Sequence, residues 1–114
     1  MNELNDDALS RILKAAGDTT RRRILTLLVQ ENALRVTALA AHFNMSLNSV
    51  SKHIKVLEEA GLVTRKTVGR EHIIALELEP LELTEEWFGQ LKSVWDLRLA
   101  ALEQALQPKD KDDE

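Results

Sequence analysis

The run from Ser46 to Val63, SLNSVSKHIKVLEEAGLV, constrains the fold more than any other part of this chain. Apolar residues at Leu47, Val50, Ile54 and Leu57 recur every three or four positions, which marks one face of a helix. Ahead of it, Asn44-Met45-Ser46 is a break of turn-favouring residues that puts Ser46 at the N-cap. The helix runs to Glu59 or Ala60, and Gly61 takes the place where a left-handed residue ends a helix. Opposite the apolar face stand Asn48, Ser49, Ser51, Lys52 and Lys55 instead of the long acid–base pairs of an ordinary solvated helix. Short polar side chains let a helix backbone approach the floor of a DNA groove, while lysines reach a base edge or a phosphate. The bland alternative is a solvated face that happens to carry small residues.

The neighbouring segments fit around this helix. Leu39, Ala40 and Phe43 form the buried stripe of a short helix over Val36 to Phe43, which Thr37 helps to begin. Two helices joined by a short turn make a helix-turn-helix, whose second helix lies in the major groove. Past Gly61 the period changes. Leu62 to Lys66 and His72 to Leu76 are β-favouring runs separated by Thr67-Val68-Gly69-Arg70, and Gly69 supplies the positive φ of a hairpin tip. A hairpin directly after a helix-turn-helix is a two-stranded wing, carrying Arg65 and Lys66 on its first strand and Arg70 at its tip.

Upstream, Leu9, Ile12, Leu13 and Ala16 predict a short helix over Asp6 to Ala16, closed by Gly17 as its C′ residue. Asp18 or Thr19 then caps a helix with core positions Ile24, Leu25, Leu27, Leu28 and Val29. Arg21, Arg22 and Arg23 stand at its start, where the helix dipole disfavours cations. They are either solvated surface or neighbours of a phosphate or carboxylate. A long helix is expected from Thr84 to Leu106, with Thr84-Glu85-Glu86 as its cap. Its apolar residues spread beyond the ~100° that one surface needs, so one side belongs to its own domain and another to a second subunit. The fold class is α+β, mostly helical: one winged helix-turn-helix domain over 1–107, followed by a charged, disordered tail over 108–114.

With 114 residues the chain holds one modest core. Its net charge of −4 is unevenly placed. Residues 1 to 72 hold eleven Lys or Arg against eight Asp or Glu, whereas residues 73 to 114 hold four against eleven. The basic patch is what a polyanion meets, so the overall acidity does not exclude DNA. No cysteine is present, which excludes disulfides and thiolate metal sites and suits a cytoplasmic protein. The acidic, charge-interrupted N-terminus is no signal peptide, and no apolar run approaches membrane-spanning length.

The block GDTTRRRIL, the run NMSLNSVSKHIKVLEEAGLV, the wing ending VGREHIIAL and the stretch WFGQLKSVWDLRLAALEQAL together resemble the ArsR-type winged-helix repressors. The likeness extends from Ala8 to Leu106, and Ser46 to Val63 is its most specific part. It implies a homodimer, joined through the first and last helices, that binds a palindromic operator and represses transcription. By that likeness the dimer contact includes Leu9, Ile12, Trp87, Leu91, Trp95, Leu99, Leu102 and Leu106. The DNA-binding candidates are Ser46, Leu47, Asn48, Ser49, Ser51, Lys52, His53, Lys55, Arg65, Lys66 and Arg70.

Two features depart from that pattern. The position after Ser46 is usually glutamine in the family and is Leu47 here; it either caps the buried face or touches a thymine methyl. Metal-sensing members carry a cysteine motif, or Asp and His ligands on the last helix. This chain has no cysteine, and none of His42, His53 and His72 lies there, so no metal or other cofactor is expected. His53 is either a structural histidine or close to DNA, and His42 and His72 read as structural or solvated.

Catalysis has no support. Glu58-Glu59 and Glu85-Glu86 diverge by ~100° within each pair, and no nucleophile triad, phosphate loop or HExxH is present. Trp87 and Trp95, two turns apart, fit a packed seam better than a ligand cage. The competing function is a winged-helix adapter that binds protein and not DNA. The inducing signal is left unnamed by the sequence.

Overall fold

The computed structural model describes residues 3–107, and the charged stretch from Pro108 lies outside them. In chain order the elements are α1 (Glu3–Ala16), α2 (Thr19–Glu31), β1 (Ala33–Arg35), α3 (Val36–Ala40), α4 (Leu47–Glu59), β2 (Val63–Val68), β3 (Glu71–Leu76) and α5 (Glu79–Leu106). Residues up to Thr84 form one compact unit, and those from Glu85 a second.

The core of the first unit is built from the apolar stripes of its helices and one face of its sheet. Ile12, Ala15, Ile24, Leu28, Leu39, Val50, Ile54, Leu57, Leu62 and Ile74 are almost fully buried in it, and Phe43 closes one side. Leu81 and Leu83, in the first turns of α5, pack against this cluster. Leu47 does not. It stands half exposed at the first turn of α4, so the stripe expected to be buried begins at Val50.

The sheet has three antiparallel strands in the order β1-β3-β2. Sequence periodicity accounts for β2 and β3, which pair from Val63 opposite Leu76 to Val68 opposite Glu71. The turn is therefore Gly69-Arg70 alone, and only Gly69 has positive φ, at 64°. Glycine at the first loop position with a normal residue after it is the type II′ arrangement, whose twist suits a hairpin. The third strand, β1, was not expected. Three residues, Ala33-Leu34-Arg35, are too few for an alternation to register, yet they pair with Ile73 to Ala75 and make β3 the central strand.

Helix boundaries differ from expectation for identifiable reasons. Helix α1 begins at Glu3, ahead of the predicted Asp6. Gly17 follows α1 but does not adopt positive φ; a Cβ there would lie 3.2 Å from the Leu13 carbonyl oxygen, so close approach is what favours glycine. Helix α3 is only five residues long, ends at Ala40 and has no side-chain cap, so Thr37 lies inside it. Residues 41–43 continue as turns, with the His42 and Phe43 N–H groups donating to the Leu39 and Ala40 carbonyls.

Helix α5 starts at Glu79, five residues before the expected cap at Thr84. Pro80 falls in its first turn, where a missing N–H costs nothing, and Glu79 and Glu82 suit the positive end of the dipole. The N–H groups of Leu81 and Glu82 donate to the Leu78 carbonyl, and Thr84 bonds back to the Pro80 carbonyl in place of capping.

The second unit contains the remainder of α5. Trp87 and Phe88 meet edge to face there, with ring centroids 4.9 Å apart. Apart from Leu81 and Leu83, which meet the core in its first turns, α5 offers no apolar side to its own domain, and from Glu85 on none of its residues is buried, contrary to expectation. Phe88, Leu91, Val94, Trp95, Leu97, Leu99, Leu102 and Leu106 are all exposed. Leu9 and Ile12, named with them as dimer contacts, are instead 7% and 2% exposed, so they serve the chain's own interior.

Candidate nucleic-acid interface

Helix α4 is held at both ends by bonds that the sequence pattern specifies. At its start the Ser46 hydroxyl oxygen accepts from the Ser49 N–H at 3.1 Å, and the Ser46 and Ser49 hydroxyls pair at 3.0 Å. At its end the Gly61 N–H donates to the Glu58 carbonyl and the Leu62 N–H to the Leu57 carbonyl. With Gly61 at φ 77°, this is the Schellman arrangement, in which a left-handed residue lets two late carbonyls find donors. Ser46 and Ser49, both expected at the DNA, are thus engaged with each other in the cap.

Val50, Ile54 and Leu57 are fully buried. At about 100° per residue, Asn48, Lys52 and Lys55 fall within one narrow sector on the opposite side, and Ser51 borders it half buried. Among the described residues, the side chains of Asn48, Lys52 and Lys55 have no hydrogen-bond or ion-pair partner, and neither do those of Lys66 and Arg70 on the wing. Their donors are free for a ligand.

Other candidates are occupied. Arg65 donates from Nε at 3.2 Å and Nη2 at 2.9 Å to one carboxylate oxygen of Glu58, in an ion pair that joins β2 to α4. Both side chains are about 70% covered, so in the free protein Arg65 braces β2 against α4. His53 faces inward, where its Nδ1 lies 3.2 Å from Nη1 of Arg21 and 3.8 Å from the Asp18 carboxylate. These contacts tie α4 to the start of α2, in keeping with the structural reading of His53.

The arginine triplet has a use that neither sequence reading anticipated. Arg21 donates from Nε to the Ala15 carbonyl at 2.6 Å and from Nη2 to the Lys14 carbonyl at 3.2 Å. Arg22 donates to the Ala16 carbonyl at 2.8 Å. Together they satisfy the orphan carbonyls at the end of α1, where a cation is also favoured by that helix's dipole. Arg23 lies over the Phe43 ring, 4.7 Å from its centroid. Asp18 caps α2 by accepting from the Arg21 N–H at 3.1 Å. That bond, aided by the Arg21 charge, holds the Asp18 carboxyl below the usual range.

Sequence reasoning passed over Arg35 and Thr37. With Val36, Leu47, Arg70, Glu71 and His72 they line a depression of about 300 Å³ between the starts of α3 and α4 and the wing tip. Arg35 pairs with Glu71 across the sheet, which offsets an acid close to the exposed cations. The available signal was position: Arg35 immediately precedes the helix-turn-helix and Thr37 lies in the first turn of its first helix.

Residues 16–66 match the helix-turn-helix domain family. The HTH-type transcriptional regulator YuzN of Bacillus subtilis is 39% identical, with 73% of this chain and 95% of that protein covered. The transcriptional repressor SdpR of the same organism is 30% identical, covering 69% and 87%. The ArsR-like transcriptional regulator from Rhodococcus sp. RHA1 superposes with a TM-score of 0.75 at 31% identity, over 89% of this chain and 94% of that one. The chain belongs to the ArsR-type winged helix-turn-helix regulators. As an ArsR-type protein it is a DNA-binding transcriptional regulator and not an enzyme. Among the described residues of this ArsR-type chain, no three His, Asp or Glu side chains converge as metal ligands would. None of its described helices is long and apolar enough to cross a membrane.

Proposed function

We propose that the protein is a cytoplasmic homodimeric repressor that binds a palindromic operator, and that it does not respond to metals through its family's usual sites. The observation that carries the DNA reading is the unpartnered stripe Asn48, Lys52 and Lys55 opposite a fully buried face, with Lys66 and Arg70 on the adjacent wing. In this reading Asn48 and Lys52 meet base edges, with Ser51 beside them, while Lys55, Lys66 and Arg70 follow phosphates. Ser46 and Ser49 fix the helix start, and Arg65 and His53 brace the helix from behind.

Repression is supported by the likeness to a protein named as a transcriptional repressor. Homodimerisation is supported by the exposed leucines and Trp95 of α5, and Trp87 belongs to the same proposed seam. Leu9 and Ile12 drop out of it because they are buried. Residues 1–107 then act as one regulator, with a palindrome matching the two-fold axis of the dimer.

Fluorescence anisotropy against the gene's own upstream DNA, at several salt concentrations, tests the reading. Asn48→Ala should cost about 1–3 kcal/mol on the preferred sequence and flatten discrimination, whereas Arg70→Ala should weaken all duplexes alike and lower the salt slope by about one phosphate contact. Zinc, cadmium or arsenite should leave the same titration unchanged. If Asn48→Ala and Lys52→Ala both bind like the parent, the recognition face is wrongly assigned. No sequence preference and no steep salt slope would point to a protein-binding adapter.

A further inference from the structure

Leu47 is exposed in an unusual setting. It is the first residue of α4, half exposed at 50%, and on the helix surface it adjoins Ser51, which borders the stripe of Asn48, Lys52 and Lys55. A single exposed leucine is ordinary in itself; what marks this one is its place at the start of α4, on a helix already anchored by Val50, Ile54 and Leu57. It also lines the depression that contains Arg70 on the wing and Thr37 on α3. Leu47 thus shares a concavity with Arg70 and stands next to Asn48 in the chain.

The residues at the N-terminus of a recognition helix are those that reach base edges. Among the base edges of the major groove, donors and acceptors dominate, and the 5-methyl of thymine is the apolar feature. We infer that Leu47 is a specificity-determining residue that reads a thymine methyl in each half-site, packing against it while Asn48 and Lys52 make the polar contacts. This rests on the proposed DNA reading, and it adds a requirement that the reading alone does not impose.

The test uses the full chain and duplexes recovered by in vitro selection from a random pool. Each thymine of the recovered sequence is then replaced by deoxyuridine, which deletes only the methyl group. One thymine per half-site should matter, with replacement weakening the parent roughly fourfold, as expected for removing one buried methyl-sized contact. In Leu47→Ala the same replacement should have no further effect. The parent titration needs no variant, so a folding defect in Leu47→Ala cannot hide a negative result.

The inference is overturned if no thymine methyl matters to the parent, or if the uridine penalty persists in Leu47→Ala. If Asn48→Ala still weakens the selected duplex in that case, the DNA reading survives and only the role of Leu47 falls. If selection enriches no sequence at all, both fall together.

Discussion

Arg21 joins three elements through one side chain, and its removal has a calculable cost. Arg21→Met keeps the aliphatic stem and the backbone N–H that Asp18 accepts from, so the α2 cap survives. It deletes the 2.6 Å bond to the Ala15 carbonyl, the 3.2 Å bond to the Lys14 carbonyl and the contact with His53. A hydrogen bond from a charged donor contributes about 1.5–3 kcal/mol, and the partly buried bond to Ala15 falls in that class. The bond to Lys14 is exposed, so water replaces it at little cost. The expected loss is about 2 kcal/mol, or roughly 8–16 °C in Tm for a unit of this size. Thermal and urea unfolding should be compared at one protein concentration, because self-association shifts apparent stability. Arg22→Met is the control: its bond to the Ala16 carbonyl is exposed and should be worth under about 1 kcal/mol. If Arg21→Met matches the parent within about 0.5 kcal/mol, or if both variants cost the same, the bridging role is refuted.

Gly61→Ala should destabilise by about 1–2 kcal/mol in urea titration, since φ is 77° while the nearest atom to a new Cβ, Pro80 Cγ, is an unstrained 3.7 Å away. A larger loss would mean that sterics dominate over backbone conformation. The Asp18 carboxyl is held below its ordinary 3.8, so its contribution is fully present above about that pH and is lost as the pH falls through the lower folded value. The stability gap between the parent and Asp18→Asn should therefore be constant near neutrality and narrow only in acid; a gap that widened there would contradict the cap. Replacing Leu99 and Leu102 by glutamate should shift the protein towards monomer in light scattering, each leucine being worth about 1.5–3 kcal/mol of burial. A monomeric parent would remove the basis for that shift.

What could be read from the sequence was whatever depends on neighbours within one helix turn or one hairpin. Both ends of α4, the Gly69 tip and the buried Val50, Ile54 and Leu57 are local patterns of this kind. Features that join distant segments could not be read. Strand β1 has meaning only through β3, some forty residues later, and Ala-Leu-Arg carries no strand signal alone. Arg65 resembles any other wing cation until the turn at Gly61 brings it back to Glu58. The start of α5 was hidden by Pro80, which is a helix breaker inside an element and acceptable in its first turn. Leu47 kept the helical period of its neighbours, and periodicity cannot distinguish the last buried position from the first exposed one.

The junction at Leu62 can be considered as a lever. Its N–H donates back to Leu57 in α4, and its carbonyl accepts from Glu77 beyond β3, so one residue is bonded to both the helix and the hairpin. From there to Gly69 is about 23 Å at 3.3 Å per strand residue, so a tilt of about 10° at the junction would swing Arg70 by roughly 4 Å. That exceeds the tolerance of a hydrogen bond. The burial of Leu62 and Val63 and the Arg65–Glu58 ion pair oppose such a tilt close to its pivot. The span from the α4 side chains to the wing tip is thereby held in the free protein, and a ligand that touches both, as proposed for DNA, need not pay for aligning them.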